Sequence, residues 1–160
     1  MKADISRACL GGFLGTIVVT CMVAFASPTL VGGPSDIAAV LASLMGGSWL
    51  AGLAMHFAVG SVVLPLLYLA LLDRRLPGGP ALRGFAWGLM LWAVSQAVVI
   101  PATGGGFFSA AAGGFKVAAD SLIGHLAYGL VLGMLAGSPN ELVFSARRSI
   151  ASGPRVRRAV

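Results

Sequence analysis

Four long apolar stretches constrain this chain more than any other feature. They run from Ala8 to Ser27, Trp49 to Leu72, Arg83 to Pro101 and Ala119 to Gly137. Each is about 19–24 residues long, and an α-helix needs roughly 20 to cross a bilayer core. None carries Asp, Glu or Lys in its interior. In hydrocarbon every backbone N–H and C=O must be satisfied within the protein, so helices are the simplest solution. A barrel would need alternating segments of about ten residues, and these runs do not alternate. Composition removes the soluble alternative. Only 10% of residues are charged, against roughly 25% in soluble domains. Mean hydropathy is +0.92, too high for one small core to hide. The expectation is an all-α, polytopic bundle of four transmembrane helices over residues 1–138, followed by a basic tail over residues 139–160.

The basic residues set the orientation. With the N-terminus inside, Lys2, Arg7, Arg74, Arg75, Arg83 and the tail arginines Arg147, Arg148, Arg155, Arg157 and Arg158 all lie on one side. Only Lys116 lies on the other. The positive-inside rule then predicts a multi-pass protein of the bacterial inner membrane with both termini cytoplasmic. The net charge of +6 reads as anchoring to anionic lipid, with the tail on the membrane surface. Nucleic acid is not an expected partner, because the tail has no interleaved aromatics on which bases could stack. Cys9 and Cys21 are twelve residues apart, about 18 Å along one helix, and cannot pair within it.

The N-terminal stretch admits a second reading. Ala24-Phe25-Ala26 after an apolar run resembles a signal-peptide cleavage site. The run is longer than a usual signal core and carries Gly11-x-x-x-Gly15, a helix-packing spacing, so a retained helix is expected. The first long connection holds Ser35 or Asp36 as a helix cap, Ile37 to Met45, and Gly46-Gly47 as a stop. Ile37, Val40, Leu41, Leu44 and Met45 share a face, which predicts a short helix on the outer membrane surface. The second connection is rich in glycine. It is read either as a cover for the bundle end, with Phe107 and Phe108 in the interface, or as a plain connector. The short connection, Asp73 to Leu82, reads as a tight basic turn.

Only two histidines occur, and both fall inside predicted spans. His56-Phe57-Ala58-Val59-Gly60 and His125-Leu126-Ala127-Tyr128-Gly129 share the pattern His-x-Ala-x-Gly, which suggests two hairpin repeats. Ionisable residues inside a membrane are functional candidates by default. Thr20, Cys21, Ser95, Gln96 and Ser121 come to a similar depth, so one polar cluster is expected in the outer third of the bundle. Glycine stripes flank it: Gly52, His56, Gly60 on one helix, and Ser121, His125, Gly129, Gly133, Gly137 on another. Pro65 removes one helix hydrogen bond, frees the Ser61 carbonyl and predicts a kink.

Three readings of the histidine pair compete. In the first, His56 and His125 are axial ligands to haem b, with Gly60 and Gly129 making room beside the site. In the second, they belong to a metal or quinone site completed by Gln96 or Cys21, with the metal unspecified. In the third, each neutral imidazole bonds a neighbouring polar group and ties helices together. Asp36 and Asp120 are expected to cap helices at the outer interface. No phosphate loop, H-E-x-x-H or G-x-S-x-G motif is present, and no buried acid–base pair supports catalysis.

One resemblance adds to this reading. It is carried by Met55-His56-Phe57 through Gly60, Pro65 and Tyr68, by Arg83-Gly84, Gly88, Trp92, Gln96 and Pro101, by Gly105-Gly106-Phe107-Phe108, and by His125 through Gly129. From Arg7 to Gly137 the chain resembles a group of small bacterial four-helix membrane proteins of unknown function. The resemblance implies the four-helix topology and supplies no activity. The leading expectation is a non-enzymatic accessory protein or subunit, packing on a membrane-protein partner or on its own copies. An electron-transfer protein and a small transporter or channel are the alternatives.

Overall fold

The structure is a computed structural model and describes residues 2–32, 36–72 and 75–137. Four helices are long and apolar enough to cross a membrane: α1 (Ile5–Val31), α3 (Trp49–Leu71), α4 (Pro80–Ala102) and α5 (Phe115–Ala136). Between α1 and α3 lies the short helix α2 (Ile37–Met45). No strand occurs among the described residues. Several boundaries differ from the sequence reading. Helix α4 begins at Pro80, because proline at the first helical position lacks an N–H that would be unsatisfied anyway. Helix α5 begins at Phe115, so Lys116 lies in its first turn. Helix α1 continues through Pro28 to Val31.

That continuation exposes a device used three times. Pro28, Pro65 and Pro101 each follow a π turn, at Met22–Ala26, Val59–Val63 and Ser95–Val99. In each, the residue just before the proline donates its N–H five residues back: Ser27 to Met22, Leu64 to Val59, Ile100 to Ser95. A proline inside a helix has no N–H and its ring crowds the carbonyl four residues earlier. One wide turn absorbs that conflict without ending the span. The distortion expected at Pro65 therefore takes this form, and it recurs at two positions where none was foreseen.

The spans pack in the order α3, α1, α5, α4. The α4–α5 seam is backbone on backbone. A Cβ on Gly84 would overlap the Gly129 carbonyl, one on Gly129 would overlap the Gly84 carbonyl, and one on Gly88 would overlap the His125 carbonyl. Helix α1 uses two faces. Gly11 and Gly15 admit Leu132 and Tyr128 of α5, while Gly12 admits Gly60 and Pro65 of α3. Because lipid is as apolar as leucine, such close approach and interhelical hydrogen bonds, rather than a hydrophobic drive, hold the bundle. Helices α3 and α4 meet through Tyr68 and Trp87, whose rings lie edge to face at 5.9 Å beside the fully buried Leu132.

Basic residues also tie the short-turn end. Arg7 donates from Nε to the Leu135 carbonyl at 3.1 Å and from Nη2 to the Gly137 carbonyl. It thereby satisfies last-turn carbonyls of α5 and places a cation at their partial negative charge. Arg83 Nε donates to the Leu76 carbonyl at 3.1 Å, closing the short turn. Asp73, Arg74 and the tail arginines lie outside the described residues.

At the opposite end Asp36 caps α2, accepting from the Ala39 N–H at 2.9 Å. Its carboxylate also accepts from Trp49 Nε1 at 2.9 and 3.0 Å, which fixes α2 against the start of α3. Ser35, the alternative cap, lies outside the described residues. Gly46 ends α2 in the left-handed region at φ 61°. Helix α2 buries small residues, Ala38 and Ala42, where Gly52 gives α3 no side chain. Of the expected apolar face, Leu44 and Met45 point outward and Ile37, Val40 and Leu41 are half-buried.

Candidate functional site

Polar residues on the long helices form two chains, one in each hairpin, near the end that carries the long connections. In the first hairpin Thr20 Oγ1 lies 3.2 Å from His56 Nε2. Thr20 also donates its single hydroxyl hydrogen to the Thr16 carbonyl at 2.8 Å. Toward the imidazole it can only accept, so Nε2 of His56 carries the hydrogen and Nδ1 is the bare nitrogen of the neutral ring. The ring stands edge-on to Phe57 at 5.6 Å.

In the second hairpin the chain is longer. Ser109 Oγ donates to Gln96 Oε1 at 2.8 Å. Gln96 Nε2 points to Ser121 Oγ at 3.4 Å, a weak bond by distance. Ser121 Oγ lies 3.3 Å from His125 Nδ1, and the Ser121 carbonyl lies 2.7 Å from the same nitrogen. A carbonyl only accepts, so Nδ1 of His125 carries the hydrogen and Nε2 is the bare nitrogen. The two histidines thus settle in opposite tautomers. Ligating histidines often donate one ring N–H to a carbonyl and present the other nitrogen, and His125 has that arrangement. Coordination through both Nε2 atoms would require His56 to leave Thr20.

Gly60 and Gly129, each four residues past a histidine, are helix crossings. A Cβ on Gly60 would overlap Thr16, and the Gly60 carbonyl accepts from the Tyr128 hydroxyl at 2.6 Å. That carbonyl is available because the π turn sends the Leu64 N–H to Val59 instead. Gly129 is filled by Gly84 and Gly88. Neighbouring helices, rather than open space for a flat ligand, occupy both positions. Among the described residues no group of three or more His, Cys, Asp or Glu side chains could hold a metal ion.

Of the other expected cluster members, Gln96 is fully buried at 0% exposure and sits at the centre of the second chain. Thr20 and Ser121 are bonded as described. Ser95 is half-buried and lends its carbonyl to the π turn. Cys21 is exposed and lies apart from both chains. Asp120 is not the helix cap expected of it. Because α5 starts at Phe115, it sits beyond the first turn and caps nothing. It accepts from Ser27 Oγ at 2.7 Å and links α5 to α1.

Ser109 was missed by sequence reasoning. It is fully buried, at φ 60°, directly after Phe108 at φ 50°. Two successive non-glycine residues in the left-handed region are strained and persist only where surroundings hold them. Here the holders are Gln96 and Trp92. The Phe108 ring lies edge-on to Trp92 at 5.8 Å, and Trp92 Nε1 donates to the Ala118 carbonyl at 2.9 Å. The glycine-rich connection is therefore a cover folded onto the bundle end. Nothing in its composition marks Ser109, a serine in a Gly/Ala run.

The chain matches one family model over residues 2–141, a stretch that contains all four spans and both histidines. The chain belongs to DUF6789, a family of unknown function. No curated protein matches this DUF6789 chain, and no solved structure matches it. Membership supplies no activity, and the four-helix membrane character rests on the helices themselves.

Proposed function

We propose that this protein is a non-enzymatic, integral protein of the bacterial inner membrane, acting as a small subunit or accessory of a larger membrane assembly. Both termini face the cytoplasm, and the basic tail meets anionic lipid. The observation that carries the reading is that, among the described residues, most polar groups on the spans bond one another, with Ser61 Oγ and Trp87 Nε1 the buried exceptions. Thr20 with His56, Ser109 with Gln96, Ser27 with Asp120, and Tyr128 with the Gly60 carbonyl all join separate segments. A reaction centre or permeation path needs such groups turned toward a substrate, whereas a scaffold spends them on its own helices. The glycine stripes are also spent internally, so a partner must dock on the large apolar side chains of the exterior. Extraction in mild detergent followed by mass measurement tests the proposal. A species well above the mass of one chain is expected, and a monodisperse single chain would overturn it.

The tautomer of His125 favours one second reading, an electron-transfer protein in which His125 and His56 hold haem b. Its test is the absorption spectrum of protein expressed with ample haem. A Soret band that disappears in His125→Ala would support it, and a spectrum without that band would remove it.

A further inference from the structure

One groove at the long-connection end opens to the outside of the bundle. It measures about 230 Å³ and lies between the end of α1 and the first turns of α5, lined by Leu30, Phe115, Lys116, Ala119, Asp120 and Ile123. Both helices end here, so the groove opens where hydrocarbon gives way to headgroups. Phe115 is 85% exposed at its rim, and Leu30 and Ile123 also present apolar surface. Its two charged residues have opposite sign. Lys116 is exposed and Asp120 is half-buried. Ser27 Oγ holds one carboxylate oxygen of Asp120 at 2.7 Å and so orients the other.

Lys116 and Asp120 are one turn apart on one helix face, with Cβ atoms about 5–6 Å from each other. Lysine preceding the acid is the weaker order for a direct pair. The groove wall is almost wholly apolar, and Lys116 and Asp120 bring a cation and an anion to its edge. We propose that it binds a zwitterionic phospholipid whose headgroup carries a primary ammonium. The lipid phosphate meets the Lys116 ammonium, the lipid ammonium donates to the free oxygen of Asp120, and an acyl chain lies along Leu30 and Ile123. A two-carbon spacer between phosphate and ammonium suits charges one helical turn apart. A choline headgroup has no N–H to give Asp120, and an anionic headgroup brings no cation to it. Both should bind more weakly, because charge-assisted hydrogen bonds are the strong ones.

The test uses the full-length protein in mild detergent, offered phosphatidylethanolamine, phosphatidylcholine or phosphatidylglycerol with identical acyl chains. Bound lipid is counted by native mass spectrometry. The wild type is expected to retain the ethanolamine lipid about fivefold over either competitor. Lys116→Gln should lower retention of all three lipids, because each offers it a phosphate, and Asp120→Asn should abolish the preference for the ethanolamine over the choline lipid. Lys116 is exposed, so its variant carries the test even where Asp120→Asn fails to fold. Equal retention of all three lipids by the wild type, or undiminished retention of the ethanolamine lipid in folded Lys116→Gln, would overturn the proposal.

Discussion

The two hairpins share a plan and differ in material. In each, a histidine sits one turn before the glycine at which the preceding span crosses. In α1–α3 that crossing is Thr16 against Gly60, a side chain set into a gap. In α4–α5 it is Gly84 and Gly88 against Gly129, backbone against backbone. The histidines follow suit. His56 is bonded across to α1 through Thr20, whereas His125 turns back to its own helix and reaches α4 only through Ser121 and Gln96. A side chain can rotate or be shortened, and a backbone seam cannot. The comparison teaches that the second hairpin is the rigid half, extended by the cover that Ser109 pins to Gln96, while the first tolerates adjustment.

The largest expected effect comes from Gly129→Leu. It should prevent α4 and α5 from closing and leave little folded protein, read as lost monodispersity in detergent. Next, Gly129→Ala should cost about 2–4 kcal/mol, while Gly60→Ala costs about 1–2 because Thr16 can give way. Unfolding in mixed micelles measures both. Thr16→Ala placed on Gly60→Ala should recover part of that loss, and no second change at Gly84 should rescue Gly129→Ala. Equal costs at the two glycines would erase the distinction between hairpins. Gln96→Leu should cost about 1–3 kcal/mol, because Ser109 Oγ loses its buried acceptor. Protease cutting between Gly104 and Gly114 should rise with it. Cys21→Ser is the smallest change, within about 0.5 kcal/mol, since Cys21 is exposed and outside both chains. A larger loss there would mean the polar cluster extends further along α1 than the described bonds do.

Much of this architecture can be read before folding. Spans, the Asp36 cap and the Gly46 stop follow from solvent and local geometry, which act through neighbouring residues. The glycine stripes announce close packing, but not which helix fills each gap. Whether Gly60 faces a ligand or Thr16 depends on a contact 44 residues away in sequence. The π turns at Pro28 and Pro101 escape for another reason: a proline near the end of an apolar run looks like a terminus unless the chain beyond it is known to stay helical. Asp120 reads as a cap only if α5 starts at Ala119, and the helix starts four residues earlier, at Phe115. Ser109 is legible only in three dimensions, since its burial depends on Gln96 waiting in α4.

The two histidine chains act as structural ties between the long helices. A double-mutant cycle on Thr20→Val and His56→Leu, read as unfolding free energy in mixed micelles, tests it most directly. A coupling of about 0.6–2 kcal/mol is expected for a bond of this kind within a membrane bundle. Additivity of the two single changes within about 0.3 kcal/mol would contradict the account.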